Sequence, residues 1–393
     1  MTLVEQWRSE TPGCQTSVHF NNAGAGLMPT PVTHAIKAHL DLESEIGGYE
    51  AYEQQEEAIG KFYSATGKLV NSKPENIAFT SSATNSFARA LSSIPFSPGD
   101  AILIANEDYV SNQLAFLSLQ KRFNLKLLRA PSTENGGVDL DAFYKLAKQH
   151  SPVLASITHV PTNSGLVQPV TEIGKICQDL EIPFLLDACQ SVGQLPLDVH
   201  EIGCDFLSAT FRKFLRGPRG AGFLFVSDRI LKKNWCPLFI DMKGADWTAP
   251  DNFQMQSDAT RFEDWELPFA LVLGSRAASE YAMQTGINQI RDRNKALMAY
   301  LKNKVIANGW QPLDRGNDTC SILTLHFPKC HPRELHNNLK SRHINTSVSQ
   351  GNYAIIDFQM KKVDWALRIS PHYYNTEQEI DQLVDSLVEL VRS

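Results

Sequence analysis

Between residues 74 and 226, short apolar runs alternate with longer stretches whose apolar residues recur every three to four positions. The runs at 76–80, 101–105, 125–129, 153–160, 183–187, 206–209 and 222–226 predict strands. The stretches 111–123, 140–150 and 170–180 predict amphipathic helices. Strand–helix alternation of this kind predicts a mostly parallel sheet covered by helices. From about residue 231 the pattern changes. Residues 247–268 are aromatic and irregular and read as a crossing loop. Helical periodicity returns at 268–285 and 286–308, strands are predicted at 321–327 and 365–369, and helices at 332–342 and 376–392. This is an α/β chain with a large unit followed by a smaller α+β one.

Composition narrows the function classes. The chain has 393 residues, too many for one small core, with 42% hydrophobic and 20% charged residues and a formal net charge of −6. It has no long Lys/Arg run, so nucleic acid is not an expected partner. The amino end, MTLVEQWRSETPGC, carries acids and lacks the apolar core of a signal peptide. No apolar run reaches the roughly 18–20 residues of a membrane span. None of the seven cysteines forms a C-x-x-C pair, so no metal site is expected, and several read as small buried hydrophobes. A soluble cytoplasmic protein without membrane contact is the expectation.

Four local features carry candidate chemistry. In FLSATFRKFLRGPRGAG (206–222) a strand ends, Lys213 follows between Arg212 and Arg216, and a loop with three glycines comes next. Like charge nearby is expected to lower the lysine pKa and free its amine for Schiff-base formation. Read alone, the segment fits a solvated basic loop equally well. Asp187 ends an apolar strand 26 positions earlier. A carboxylate there is costly without a cationic partner, and a protonated pyridine nitrogen would be one; an ordinary helix cap is the alternative. The turn TSSATNS (80–86) lies between a strand and a helix and offers hydroxyls and backbone N–H groups to a phosphate, or simply caps the helix. Tyr109 follows the strand AILIANEDY and either stacks on a ring or packs in the core.

Taken in order, these segments resemble the class V aminotransferase family of fold-type I pyridoxal phosphate (PLP) enzymes, from FNNAGAGLMP (20–29) to LRISPHYYNTEQEID (367–381). The family includes cysteine desulfurases, selenocysteine lyases, isopenicillin N epimerase-like proteins and kynureninases. The resemblance implies a mainly parallel seven-stranded sheet and a small-molecule amino-acid substrate. It assigns residues 1–30 to the substrate pocket, 31–245 to a large PLP-binding domain, 246–270 to the crossing loop and 271–393 to the small α+β domain. It makes Lys213 the catalytic Schiff-base lysine. Ala83, Thr84, Thr210 and Arg212 become phosphate-side residues, with Ala83 acting through its backbone, and Arg212 standing where desulfurases carry a His. Asp187 takes the pyridine nitrogen, Gln190 the phenolic oxygen, Tyr109 the ring face, and Asn163 lies near the ring substituents. Arg368 matches the arginine that forks onto the substrate carboxylate; Asn22, Ala23 and Gly24 match the stretch lining the substrate pocket. The segment ATRFEDWE (259–266) resembles a loop reaching a partner subunit, which implies a homodimer with shared active sites.

One departure bears on the reaction. Desulfurases carry a nucleophilic cysteine on a loop shortly before the carboxylate-binding arginine, but the corresponding stretch here, NTSVSQGNYAIIDFQMKK (345–362), has none. Cys189, next to the DACQ aspartate, reads as a structural thiol. The expectation is therefore a C–S lyase that releases its sulfur product directly. Epimerisation, transamination and decarboxylative or aldol C–C chemistry are the alternatives, and a cofactor-binding subunit without turnover is the non-enzymatic one. Tyr353, His372 and Tyr373 read as packing or surface groups rather than pocket groups.

Overall fold

The computed structural model describes residues 1–316 and 318–392. Seven strands form one sheet in the order Ile77–Thr80, Gly222–Val226, Phe206–Thr210, Phe184–Asp187, Leu154–Thr158, Ala101–Ala105, Lys126–Ala130. All pairs are parallel except the two made by Gly222–Val226, which runs antiparallel to both neighbours. The central strands are buried at every position, which is why they read as unbroken apolar runs rather than alternating ones. Lys126–Ala130, at one edge, is only partly buried. The opposite edge strand, Ile77–Thr80, is fully buried. Its outward Phe79 N–H would be left without a partner; the Glu263 carboxylate accepts it at 2.7 Å.

A second sheet of three antiparallel strands has the order Leu323–Leu325, Trp365–Ile369, Ser347–Gln350. It packs with the helices Ile287–Ala307, Pro332–Ser341 and Glu377–Arg392 around Leu297, Leu301, Leu367 and Leu383. The amino-terminal stretch joins the two sheets. Val18–His19 pairs in parallel with Ile344–Asn345, the Asn22 N–H donates to Ser370 O, and the Gly26 N–H donates to Arg212 O.

Two expectations change. The boundary at residue 270/271 does not follow the packing. The helix Phe269–Thr285 lies against Thr30–Ile46 and Gly48–Leu69, and its Val272, Leu273 and Ala278 belong to the hydrophobic core of the large sheet. The crossing loop also has structure of its own: Ala245–Ala249 and Asn252–Met255 form an antiparallel hairpin, and Ala259–Phe262 a short helical turn. Within that turn and just after it, Arg261, Phe262 and Glu263 are buried against the chain's own large unit, leaving Trp265 exposed.

Candidate active site

The parallel strands end at one side of the sheet, where backbone groups no longer pair and side chains can converge on a ligand. A cavity opens there. It is lined by the residue that ends each of three strands (Thr158, Asp187, Thr210), by Tyr109 beyond a fourth, and by Lys213 on the following loop.

Lys213 is buried, with its Nζ 5.8 Å from the centroid of the Tyr109 ring. Burial pushes its amine pKa below the usual lysine range, the Arg212 and Arg368 charges push the same way, and the Asp187 carboxylate opposes them. Arg216 contributes differently from what its sequence position predicts. It adopts a left-handed backbone (φ +59°) and turns into a cage of Tyr281, Tyr373 and Tyr374, where it donates to Leu27 O and the Tyr373 hydroxyl. It anchors the amino-terminal stretch and does not face the lysine amine.

Asp187 is buried. Its Oδ1 accepts the Cys189 N–H at 3.0 Å and its Oδ2 accepts Asn112 Nδ2 at 2.8 Å. No lysine or arginine hydrogen-bonds it among the described residues. The turn 80–86 begins the ten-residue helix Ala83–Ser92, whose N-cap Ser82 hydroxyl accepts the Asn85 N–H. The Ala83 and Thr84 N–H groups stand at the helix start, where no acceptor exists within the helix. Gly222 lets this turn come close: a Cβ there would lie 2.7–2.8 Å from Ser82 C and Ala83 N. Arg212 reaches Gly24 O.

The other wall is built from distant segments. Arg368 is buried; its Nη1 donates to Thr162 O and Oγ1 at 3.1 and 2.9 Å, and its Nη2 to Asn21 Oδ1 at 3.1 Å. Its Nε has no partner, and burial together with the Arg212 charge pushes its pKa down to about 10. A buried guanidinium held only by neutral groups is a costly arrangement that an incoming carboxylate would relieve. Gln190 Nε2 donates to Ala23 O and Thr162 Oγ1, while its Oε1 is buried without a partner.

The structure thus gathers Ala83, Thr84, Tyr109, Asp187, Gln190, Thr210, Arg212 and Lys213 around one cavity, with Arg368 joined to it through Thr162. Asn163 is buried but is not among the lining residues; Thr162 lines the cavity instead. Asn22 is tied up structurally, donating to Ser370 O and accepting the Tyr374 hydroxyl. Its neighbour Asn21 is the one that reaches Arg368. Ala23 and Gly24 offer their carbonyls. Asn112 and Thr158 were not singled out in the sequence; Asn112 lies one helical turn after Tyr109, and Thr158 is the strand neighbour of Asp187. Tyr353 is exposed. His372 is enclosed, between Phe214 O and Asn294.

The segment 345–362 is built as the strand Ser347–Gln350, a tight turn and the helix Ile355–Lys361, which holds a buried Lys361–Asp357 ion pair of 2.8 Å. Cys189 is the cysteine that lines the cavity. Burial, reinforced by the Asp187 charge, pushes its thiol pKa well up, so it is a poor nucleophile.

These features meet known proteins over nearly the full chain. A probable cysteine desulfurase of Methanothermobacter thermautotrophicus is 26% identical, with 98% of each chain covered. A probable hercynylcysteine sulfoxide lyase of Mycobacterium tuberculosis is 24% identical, covering 98% of this chain and 93% of that one. Among solved structures, the apo cysteine desulfurase of Thermococcus onnurineus superposes with a TM-score of 0.92 at 22% identity, over 100% of this chain and 99% of that one. The cystine C–S lyase C-DES, bound to its product cysteine persulfide, superposes with a TM-score of 0.86 at 21% identity, over 97% and 99%. The sequence profile of the aminotransferase class-V family matches residues 18–383, and the chain belongs to that family.

Proposed function

We propose that this protein is a PLP-dependent C–S lyase that eliminates the sulfur substituent from Cβ of a cysteine derivative and releases it directly. The observation that carries the reading is a buried lysine and carboxylate lining one cavity, with the buried Arg368 joined to it through Thr162, together with a cysteine-free segment 345–362. The relatives named for desulfuration and for sulfoxide cleavage support carbon–sulfur chemistry.

The residues present fit the cofactor. The helix start at Ala83 and Thr84, with Thr210 and Arg212, would cradle its phosphate, and Gly222 lets that turn seat close against the sheet. Asp187 would hold a proton at its ring nitrogen, Tyr109 would cover a ring face, and the amide of Gln190 would meet its phenolic edge. When bound, PLP supplies an electron sink for charge developing at the substrate Cα. Arg368 forks onto the substrate carboxylate with Asn21 and Thr162 bracing it. Lys213 takes the Cα proton. Burial, which pushes its pKa down, favours the neutral amine that this step needs.

Sodium borohydride reduction followed by peptide mass spectrometry tests the lysine. The cofactor mass is expected on the peptide containing Lys213, and modification elsewhere or nowhere contradicts the assignment. We also read the protein as a cytoplasmic homodimer. Its seven cysteines are unpaired, and none of its described helices is long and apolar enough to cross a membrane. Phe239, Met242, Trp247, Phe253 and Trp265 stand exposed around the hairpin, an apolar surface suited to a second copy. Sedimentation equilibrium at the mass of two chains is expected; a monomer that remains active contradicts shared sites.

A further inference from the structure

The carboxylate assigned to the ring nitrogen does not stand alone. Behind Asp187, away from the cavity, lies a second buried carboxylate, Asp108. One amide nitrogen connects them: Asn112 Nδ2 donates to Asp187 Oδ2 at 2.8 Å and to Asp108 Oδ1 at 3.0 Å. Asp108 also accepts the Tyr109 N–H at 2.6 Å, Gln113 Nε2 at 2.7 Å and the Thr158 hydroxyl. It has no cationic partner within hydrogen-bonding distance among the described residues. Its charge is held by four neutral donors.

This arrangement has a direction. Both carboxylates are acceptors, so the Asn112 amide must present its NH₂ group between them. Asp108 thus fixes the amide orientation, and the amide fixes the rotamer of Asp187. The backbone N–H of Tyr109 binds the same carboxylate, so the ring-covering tyrosine is set by the same anchor.

We propose that Asp108 and Asn112 are positioning residues that hold Asp187 and Tyr109 in register and strengthen the hold of Asp187 on a proton at the cofactor's ring nitrogen. The electrostatic part follows from sign: a second negative charge behind Asp187, in a site shielded from water, favours a proton in front of it. The ionisable groups facing the two carboxylates are Arg129 on the neighbouring strand, the Cys189 thiol and Lys213. None of the three interposes between Asp108 and Asp187, where Asn112 sits. The inference rests on the reading of Asp187 as the partner of the ring nitrogen.

The test uses the protein reconstituted with PLP carrying ¹⁵N in its ring, whose chemical shift reports protonation of that nitrogen. Asp108→Asn keeps the shape and removes the charge; Asn112→Ser keeps one donor and serves if Asp108→Asn does not fold. In Asp108→Asn the ring nitrogen is expected to lose its proton about one pH unit lower than in the parent; Asn112→Ser keeps the Asp108 charge and tests the positioning alone. PLP affinity, measured by titrating the apoprotein, is expected to fall about tenfold. An unshifted ¹⁵N titration in Asp108→Asn, or a PLP affinity within twofold of the parent in either variant, while Asp187→Asn loses both, overturns the inference. If Asp187→Asn itself changes neither, the reading of Asp187 fails first, and the inference falls with it.

Discussion

The two walls of the cavity are made in different ways. The floor comes from consecutive strand ends of one sheet, so Asp187, Thr158 and Thr210 are placed by backbone pairing, with Thr158 opposite Asp187 in register. The opposite wall comes from segments hundreds of residues apart. Asn21, Thr162 and Arg368 meet where the amino-terminal stretch bridges the two units, through Asn22 to Ser370 on one side and Gly26 to Arg212 on the other. A rigid floor suits chemistry common to a family, the holding of a cofactor. A wall whose Asn21 and Thr162 lie outside the regular strands suits the choice of substrate, because such segments change without disturbing the core.

The largest expected effect breaks the floor. Lys213→Ala removes the proposed proton-transferring group while leaving the strand ends intact, and turnover should fall about 10²–10⁴-fold. Steady-state kinetics check this, and a loss below tenfold would mean that another group moves the proton.

A smaller effect concerns what supports the floor. Burial pushes the Glu263 carboxyl, which accepts the Phe79 N–H and the Tyr63 hydroxyl under the edge strand, up to about 7. Its folded pKa lies above the ordinary glutamate value of about 4.5, so the folded state holds this proton more tightly than the unfolded one. Its contribution to stability therefore falls as pH rises from about 4.5 to about 7. Glu263→Gln should remove that slope, worth about 3 kcal/mol across the window. Denaturant unfolding of parent and variant at pH 4.5, 6 and 7.5 measures it; a stability difference constant with pH contradicts it.

The smallest effect falls on the other wall. Arg368→Lys keeps the charge but loses the fork held by Thr162 and Asn21, so KM should rise about tenfold while bound PLP is unchanged. An equal fall in cofactor affinity would show that the two walls are not independent.

The floor was the more legible part in the sequence. Strands covered on both faces leave unbroken apolar runs, and a polar residue ending such a run marks a strand end, which is how Asp187 stood out. Where the fold was misread, the physical signal was absent. The hairpin Ala245–Met255 is exposed along most of its length, so no apolar face shows in its sequence. Arg216 neighbours Lys213 in the chain, yet its left-handed backbone sends it to the tyrosine cage. Asn21 and Asn22 are identical neighbours, and only the pairing with Ser370 decides which of them reaches Arg368. Thr162 and Asn163 differ by a one-residue turn beyond Pro161. Asn112 had a usable signal, its position one turn after Tyr109 on a helix face, but helical spacing alone marks a neighbour and not a partner.

The most direct test of the central claim follows both the carbon and the sulfur products. The protein loaded with PLP is incubated with S-substituted cysteines and their sulfoxides, together with cystine. Pyruvate, ammonia and the sulfur product are quantified, and the intact chain is weighed by mass spectrometry. Direct elimination predicts one pyruvate and one ammonia for each sulfur product released, with no sulfur added to any of the seven cysteines. Alanine as the carbon product, with a persulfide retained on the chain, would contradict it.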